Sequence, residues 1–254
     1  MKYIKKIAET ELWSSGKVEL WDFSRANQNP ESRIEAVATV ASICYGKPPR
    51  DARKLVERLW TESGGLPSSA FEFIRDGRRP RIEDSLRNNP GLATYADDPK
   101  TTVDELAARH RENIATFRVK APIFVARQVM RHRRFSYQEL SRRYTDDRRV
   151  PLDFWLPEED EVGTAAAELW QLASTTEERI YRLLRGLNVR AEIARAVLGT
   201  GLYTEFWMMG DREAWANYFA LRLDRHAQKE HRDLAQAMRD LLAERQPEFA
   251  IELP

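Results

Sequence analysis

A single cysteine, Cys44, stands in 254 residues. It excludes an intrachain disulfide and suits a reducing compartment, the cytoplasm. The four histidines, His110, His132, His226 and His231, form neither a His-Glu-x-x-His pair nor a Cys/His cluster, so no metal site is expected. Apolar runs of eighteen or more residues are missing, which excludes a membrane-spanning helix. The opening Met1–Glu9 stretch lacks the apolar core of a signal peptide. Charges nearly balance at +1, so nothing global points to nucleic acid. Neither a Gly-rich phosphate loop nor a Rossmann fingerprint is present, and a dinucleotide would have to be held in another way.

What is abundant is arginine in one place. Arg127, Arg131, Arg133, Arg134, Arg142, Arg143, Arg148 and Arg149 crowd into a short span. Packing does not require this, and electrostatics opposes it without counter-charge. Planar bidentate donors suit phosphate and carboxylate. An apolar run, Ala121 to Met130, leads in as a helix, with Pro122 in its first turn and Gln128 and Arg131 on one face. A solvated or RNA-facing basic helix is the plain alternative. The Ser, Gln and Glu residues set among the arginines count against it.

Arg131-His-Arg133, seven residues and then Ser141 resembles the signature of flavin-dependent thymidylate synthases. The similarity extends through Lys120-Ala-Pro-Ile-Phe-Val-Ala-Arg-Gln128 before it and Ser136-Tyr-x-Glu-Leu-Ser-x-Arg-Tyr144 within and after it. The resemblance implies an α+β fold, with a central, mainly antiparallel sheet flanked by helices. It implies one domain over 1–254, assembled as a homotetramer with sites between subunits. FAD would be the cofactor, with NADPH and methylenetetrahydrofolate as cosubstrates, in C5 methylation of a uracil nucleotide. Arg222 would be the catalytic residue, favouring the ionised pyrimidine. Gln128, Arg131, Glu139, Ser141, Arg143 and Arg195 would bind substrate with it. Ser69, Glu72, Arg131, His132, Arg133, Glu139, Asn217 and Arg212 would hold FAD.

Several positions depart from the family pattern. Pro67 and Phe73 stand where histidines are usual, and Gly199 stands where proline is usual. Asp211-Arg-Glu213 replaces an Asn-x-Arg pair, bringing a carboxylate near a pyrophosphate unless Arg212 compensates. An insertion at about 73–112, rich in Pro, Gly, Asn and charge, is expected to hold two short helices at 82–87 and 102–109 and to cap the site. These departures favour UMP as substrate, as in the branch that serves nucleoside antibiotics, with dUMP as the alternative. A family member that binds flavin without catalysis, and a non-catalytic RNA- or anion-binding protein, are the other readings.

Elsewhere the patterns predict a strand at Val18–Phe23, helices at Ser32–Cys44 and Ala52–Trp60, and a strand at Asn113–Val119. Asp153–Pro157 reads as a loop or edge strand. A long amphipathic helix over Thr164–Leu187, a short helix over Arg190–Leu198 and a strand over Leu202–Met209 follow. Asp211 is expected as the N-cap of a helix running to about Arg245, broken near Leu223. Cys44 is expected in the core. Arg222 and His226, four apart, are expected on one helix face, His226 with a structural role as its alternative.

Overall fold

The computed structural model describes residues 1–26, 28–62, 69–74, 113–251 and 253. Pro67 and nearly all of the 73–112 insertion, including both short helices expected there, lie outside the described residues.

Five strands form one sheet in the order β1-β2-β3-β5-β4. They are β1 (Lys5–Leu12), β2 (Gly16–Asp22), β3 (Ile114–Pro122), β4 (Ser136–Glu139) and β5 (Tyr203–Asp211). Every neighbouring pair is antiparallel. β5 is an apolar run because both of its faces are covered. Phe206 and Met208 belong to one core, Trp207 and Met209 to the other.

The first core receives α3 (Ile123–Val129), α7 (Arg212–Arg222) and α8 (Lys229–Arg245), which bring Val125, Val129, Trp215, Phe219, Leu234 and Met238. The second receives α1 (Pro30–Ser42) and the 3-10 turn Ser69–Ile74, through Val37, Val40 and Phe73. α1 starts at a capping box in which Asn29 accepts from Ser32 N and Ser32 Oγ accepts from Asn29 N. α2 (Ala52–Glu62) packs beside it.

One strand was missed and two expectations need correction. β1, an edge strand with half of its residues exposed, has too little apolar alternation to stand out in the sequence. α1 ends at Ser42, and Cys44 lies half-buried on the following 3-10 turn (Ile43–Tyr45) rather than in the core of the helix. Pro122 is the last residue of β3 and the cap of α3, in extended conformation, so it precedes the helix instead of sitting in its first turn.

After β4 come α4 (Glu159–Val162), the long α5 (Thr164–Gly186), α6 (Ala191–Ala194), a 3-10 turn (Arg195–Val197) and finally α9 (Pro247–Ala250). In α5 only Tyr181 is buried. Leu169, Leu172 and Leu183 are 66%, 62% and 60% exposed, and Ile180 and Leu187 continue the same stripe. None of the described helices is long and apolar enough to cross a membrane.

Candidate active site

The arginine-rich stretch is a turn between α3 and β4. Tyr137 holds the carbonyls at the start of this turn, its Oη 2.8 Å from Val129 O and 3.1 Å from His132 O. Arg131 falls in the turn beyond the helix, its N–H on Gln128 O, rather than on the helix face expected for it. Phe135 anchors the turn in an aromatic cluster, 4.7 Å from the Trp215 ring and 6.0 Å from Tyr218. A Cβ at Gly210 would stand 2.5 Å from the Phe135 ring, so this close approach requires glycine.

Anchoring Phe135 buries His132 with it, and His132 meets Arg222. Arg222 Nε donates to His132 Nε2 at 2.8 Å. Burial first, then the Arg222 charge, lowers the His132 pKa to about 4, so the ring is neutral and its lone pair is free to accept. With Nε engaged, the two terminal nitrogens of Arg222 have no protein partner among the described residues. Beneath this pair lies a second histidine. His231 is fully buried; its Nε2 is 3.1 Å from Tyr218 Oη and its Nδ1 3.3 Å from Gln128 Oε1. Gln128 Nε2 in turn donates to Gln228 Oε1 at 2.5 Å.

A second group forms at the other end of β4. Thr204 Oγ1 donates to Glu139 Oε1 at 2.8 Å. Glu139 is exposed as a residue, yet its carboxyl is crowded against the sheet edge, and desolvation pushes its pKa up despite Thr204, Arg195 and Arg127. Ser69 Oγ donates to Gln138 Oε1, and Gln138 Nε2 reaches Cys44 Sγ at 2.7 Å. Ser69 thus meets the signature strand; the Glu72 side chain lies outside the described residues. Ser141 and Arg143 follow, the Arg143 guanidinium 4.9 Å over the Tyr144 ring. Arg142 is buried and donates to Val150 O and Pro151 O, a structural use of one arginine of the cluster.

Other expected residues are spread out. Arg195 and Asn217 are exposed, on the 3-10 turn after α6 and on α7. Arg212 turns toward α9, donating to Glu248 O at 2.7 Å and lying over the Phe249 ring. The residue that meets Glu213 is instead Arg134, at 2.7 Å, with Asp211 at 3.8 Å. Asp211 is the N-cap as expected, accepting from Ala214 N. His226 does not share a helix face with Arg222. α7 ends at Arg222, and Asp224 accepts from His226 N and stands 2.8 Å from its Nδ1, closing a local turn. Gly199 has a use that proline could not serve: its N–H donates to Glu177 Oε2 on α5 at 2.7 Å.

Sequence reading missed His231 and Tyr218, whose partners are far away in the chain. It also missed a cavity of about 730 Å³ between α1 and the sheet, lined by Trp21, Ile34 and Trp207 with the Arg118–Glu205 pair, which no expected site residue lines. The described residues contain no group of three or more His, Cys, Asp or Glu arranged for a metal ion.

The sequence model of the family described as thymidylate synthase complementing protein matches residues 108–248, more than half of the chain. The chain belongs to this family. Curated relatives of this chain are named flavin-dependent thymidylate synthase. That of Pseudothermotoga lettingae is 35% identical over 135 residues, covering 49% of this chain and 59% of the relative. The Thermotoga neapolitana protein is 36% identical over 140 residues, covering 53% and 63%. A Thermus thermophilus protein is 34% identical over 179 residues, covering 61% and 65%. In each case the match spans less than two thirds of the relative. The family match includes the arginine turn and the α7 segment that carries Arg222.

Proposed function

We propose that this protein is a flavin-dependent enzyme that methylates C5 of a uracil nucleotide, UMP before dUMP, with methylenetetrahydrofolate as carbon donor and NADPH as reductant. The observation that carries this reading is the Arg222–His132 pair. A neutral imidazole holds Arg222 by Nε and leaves its two terminal NH2 groups without a protein partner among the described residues. Such a fork suits the N3–O2 edge of uracil and stabilises its ionised, enolate-like form, which makes C5 nucleophilic. A thiol adduct at C6 is not needed. Cys44 also suits that role poorly, because burial raises its pKa and Sγ already donates to Glu139 O.

The residues present fit a phosphate-bearing cofactor. Arg127, Arg131, Arg133 and Arg143 have no carboxylate within ion-pair distance among the described residues, and their exposed guanidinium groups are available to phosphates. FAD, when bound, would supply the redox step. Arg131, Arg133 and Asn217 would hold it, with Ser69 and Glu72 beside β4. Arg134 would keep Glu213 and Asp211 from repelling its pyrophosphate, the task expected of Arg212. Arg195, Ser141 and Arg143 would bind the nucleotide phosphate.

The site would be shared between copies. Arg131, and Arg222 through His132, stand at the start of β4, Ser141 and Arg143 follow its end, and four strand residues advance the chain by roughly 13 Å. A nucleotide held at one end would then meet the other end's residues from a neighbouring copy. The exposed stripe on α5 supports self-association into a tetramer. Pro67, Phe73, Gly199 and the insertion favour UMP, and the insertion would cap the site.

The test is to assay the purified protein with UMP and with dUMP, supplying FAD, NADPH and methylenetetrahydrofolate. Turnover with a yellow protein is expected. A colourless protein that binds RNA with a steep salt dependence would replace this reading by an electrostatic patch. Arg222→Ala is expected to stay folded and yellow while methyl transfer falls by about 10²–10³, the range for one lost electrostatic donor. Near-parental turnover in that variant rejects Arg222 as the activating residue.

A further inference from the structure

His231 is absent from the reaction outlined above, yet it is fully buried on the first turn of α8 with both ring nitrogens engaged. Burying an imidazole is costly unless both nitrogens have partners. The direction of those partners can be worked out. Gln128 Nε2 lies 3.4 Å from Phe124 O, a backbone carbonyl that can only accept, so the amide nitrogen must be on that side. Gln128 Oε1 therefore faces His231 and accepts, and Nδ1 carries the proton. Nε2 is then the bare nitrogen, and Tyr218 O–H donates to it. The low pKa of His231, about 3, keeps the ring neutral, as this arrangement requires. Every donor in the chain from Tyr218 through His231 to Gln128 points the same way, toward the surface.

We infer that His231 is a positioning residue that locks the Gln128 side-chain amide with its N–H groups outward, so that Gln128 meets substrate as a donor to an acceptor oxygen. Exposed Gln228 takes that donor in the structure and is placed to yield it. Without the imidazole, only the long 3.4 Å contact to Phe124 O orients the half-buried amide, and a share of molecules presents its oxygen outward. An outward oxygen would repel a phosphate or a pyrimidine carbonyl. The inference rests on the reading of Gln128 as a nucleotide-binding residue, and Tyr218, buried and committed to His231, secures the tautomer.

The experiment uses the full, FAD-loaded protein with UMP and dUMP as probes. His231→Phe is expected to raise the nucleotide KM about tenfold while kcat falls less than about threefold, the pattern of one lost binding interaction. His231→Asn carries an amide N–H where Nδ1–H stands, and is expected to bring KM back to within about threefold of the parent. Equal KM values in the Phe and Asn variants, or a loss confined to kcat and Tm, would overturn the inference. Where the Phe variant fails to fold, ¹⁵N-histidine NMR of the unaltered protein decides: protonation at Nδ1 is expected, and protonation at Nε2 refutes the relay. If the parent turns over neither nucleotide, the functional reading fails, and the tautomer still judges the relay on its own.

Discussion

At the scale of single residues, the surroundings decide what three titratable side chains do. Cys44 is the first. Its thiol donates to Glu139 O and accepts from Gln138 Nε2, a pair of bonds that a hydroxyl can also make. Cys44→Ser is expected to keep turnover within about threefold of the parent and to cost at most about 1 kcal/mol of stability. A folded, flavin-loaded Ser variant unable to methylate would restore a cysteine mechanism. His132 and His231 are the other two. Both rings are neutral in the folded chain, with pKa values near 4 and 3, lowered by burial and by Arg222. In the unfolded chain they take up protons near pH 6.5. Acidification from about pH 6.5 therefore favours unfolding, and the loss grows until the folded rings titrate near pH 4 and 3. Above about pH 7 neither ring contributes a penalty. Urea melts at pH 7, 5.5 and 4.5 measure this, and His231→Asn should flatten the slope. An unchanged slope would mean that His231 is charged in the folded protein.

At the scale of elements, the departures from the family pattern become physical statements. Gly199 ties the segment after Arg195 to α5 through its N–H and Glu177. Proline has no N–H, and any Cβ at this position would stand 2.6 Å from Glu177 Oε1. Gly199→Pro, the residue usual in the family, is expected to destabilise this protein by about 1–2 kcal/mol, the loss of one partly buried bond to a charged acceptor. A thermal melt checks this, and an unchanged Tm would show that Glu177 has no need of the bond. Long elements were legible before the structure: α5 and α8 carry their period in the sequence, and β5 its aromatic, apolar run. β1 was not, because its edge strand alternates weakly. The break after Arg222 was legible only as a break. That it ends in a turn closed by Asp224, which takes His226 off the helix face, depends on a side-chain hydrogen bond that periodicity does not encode.

At the scale of the whole molecule, the apolar stripe on α5 and the split of the signature across β4 point to the same arrangement. If two copies complete each site, separating them should abolish catalysis without unfolding either. Leu172→Asp with Leu183→Asp places two carboxylates on the stripe. Light scattering is expected to show dissociation, circular dichroism an unchanged fold, and turnover a loss greater than about 100-fold, since the acceptor-binding half of the site departs with the neighbour. A dissociated variant that still turns over would mean that one copy holds a whole site. By itself the sequence determined the strand and helix periods, the Asp211 cap and the crowding of arginines into one short span, because these follow from neighbours within a few residues. It also carried the family, through a contiguous pattern around Arg131–Arg133. Only the tertiary structure decided that Arg134 meets Glu213, that Arg142 is buried on backbone carbonyls, and that Arg222, His132, His231 and Gln128 converge. Those last contacts join positions about a hundred residues apart, and burial rather than local spacing fixes both their geometry and the charge state of the two imidazoles.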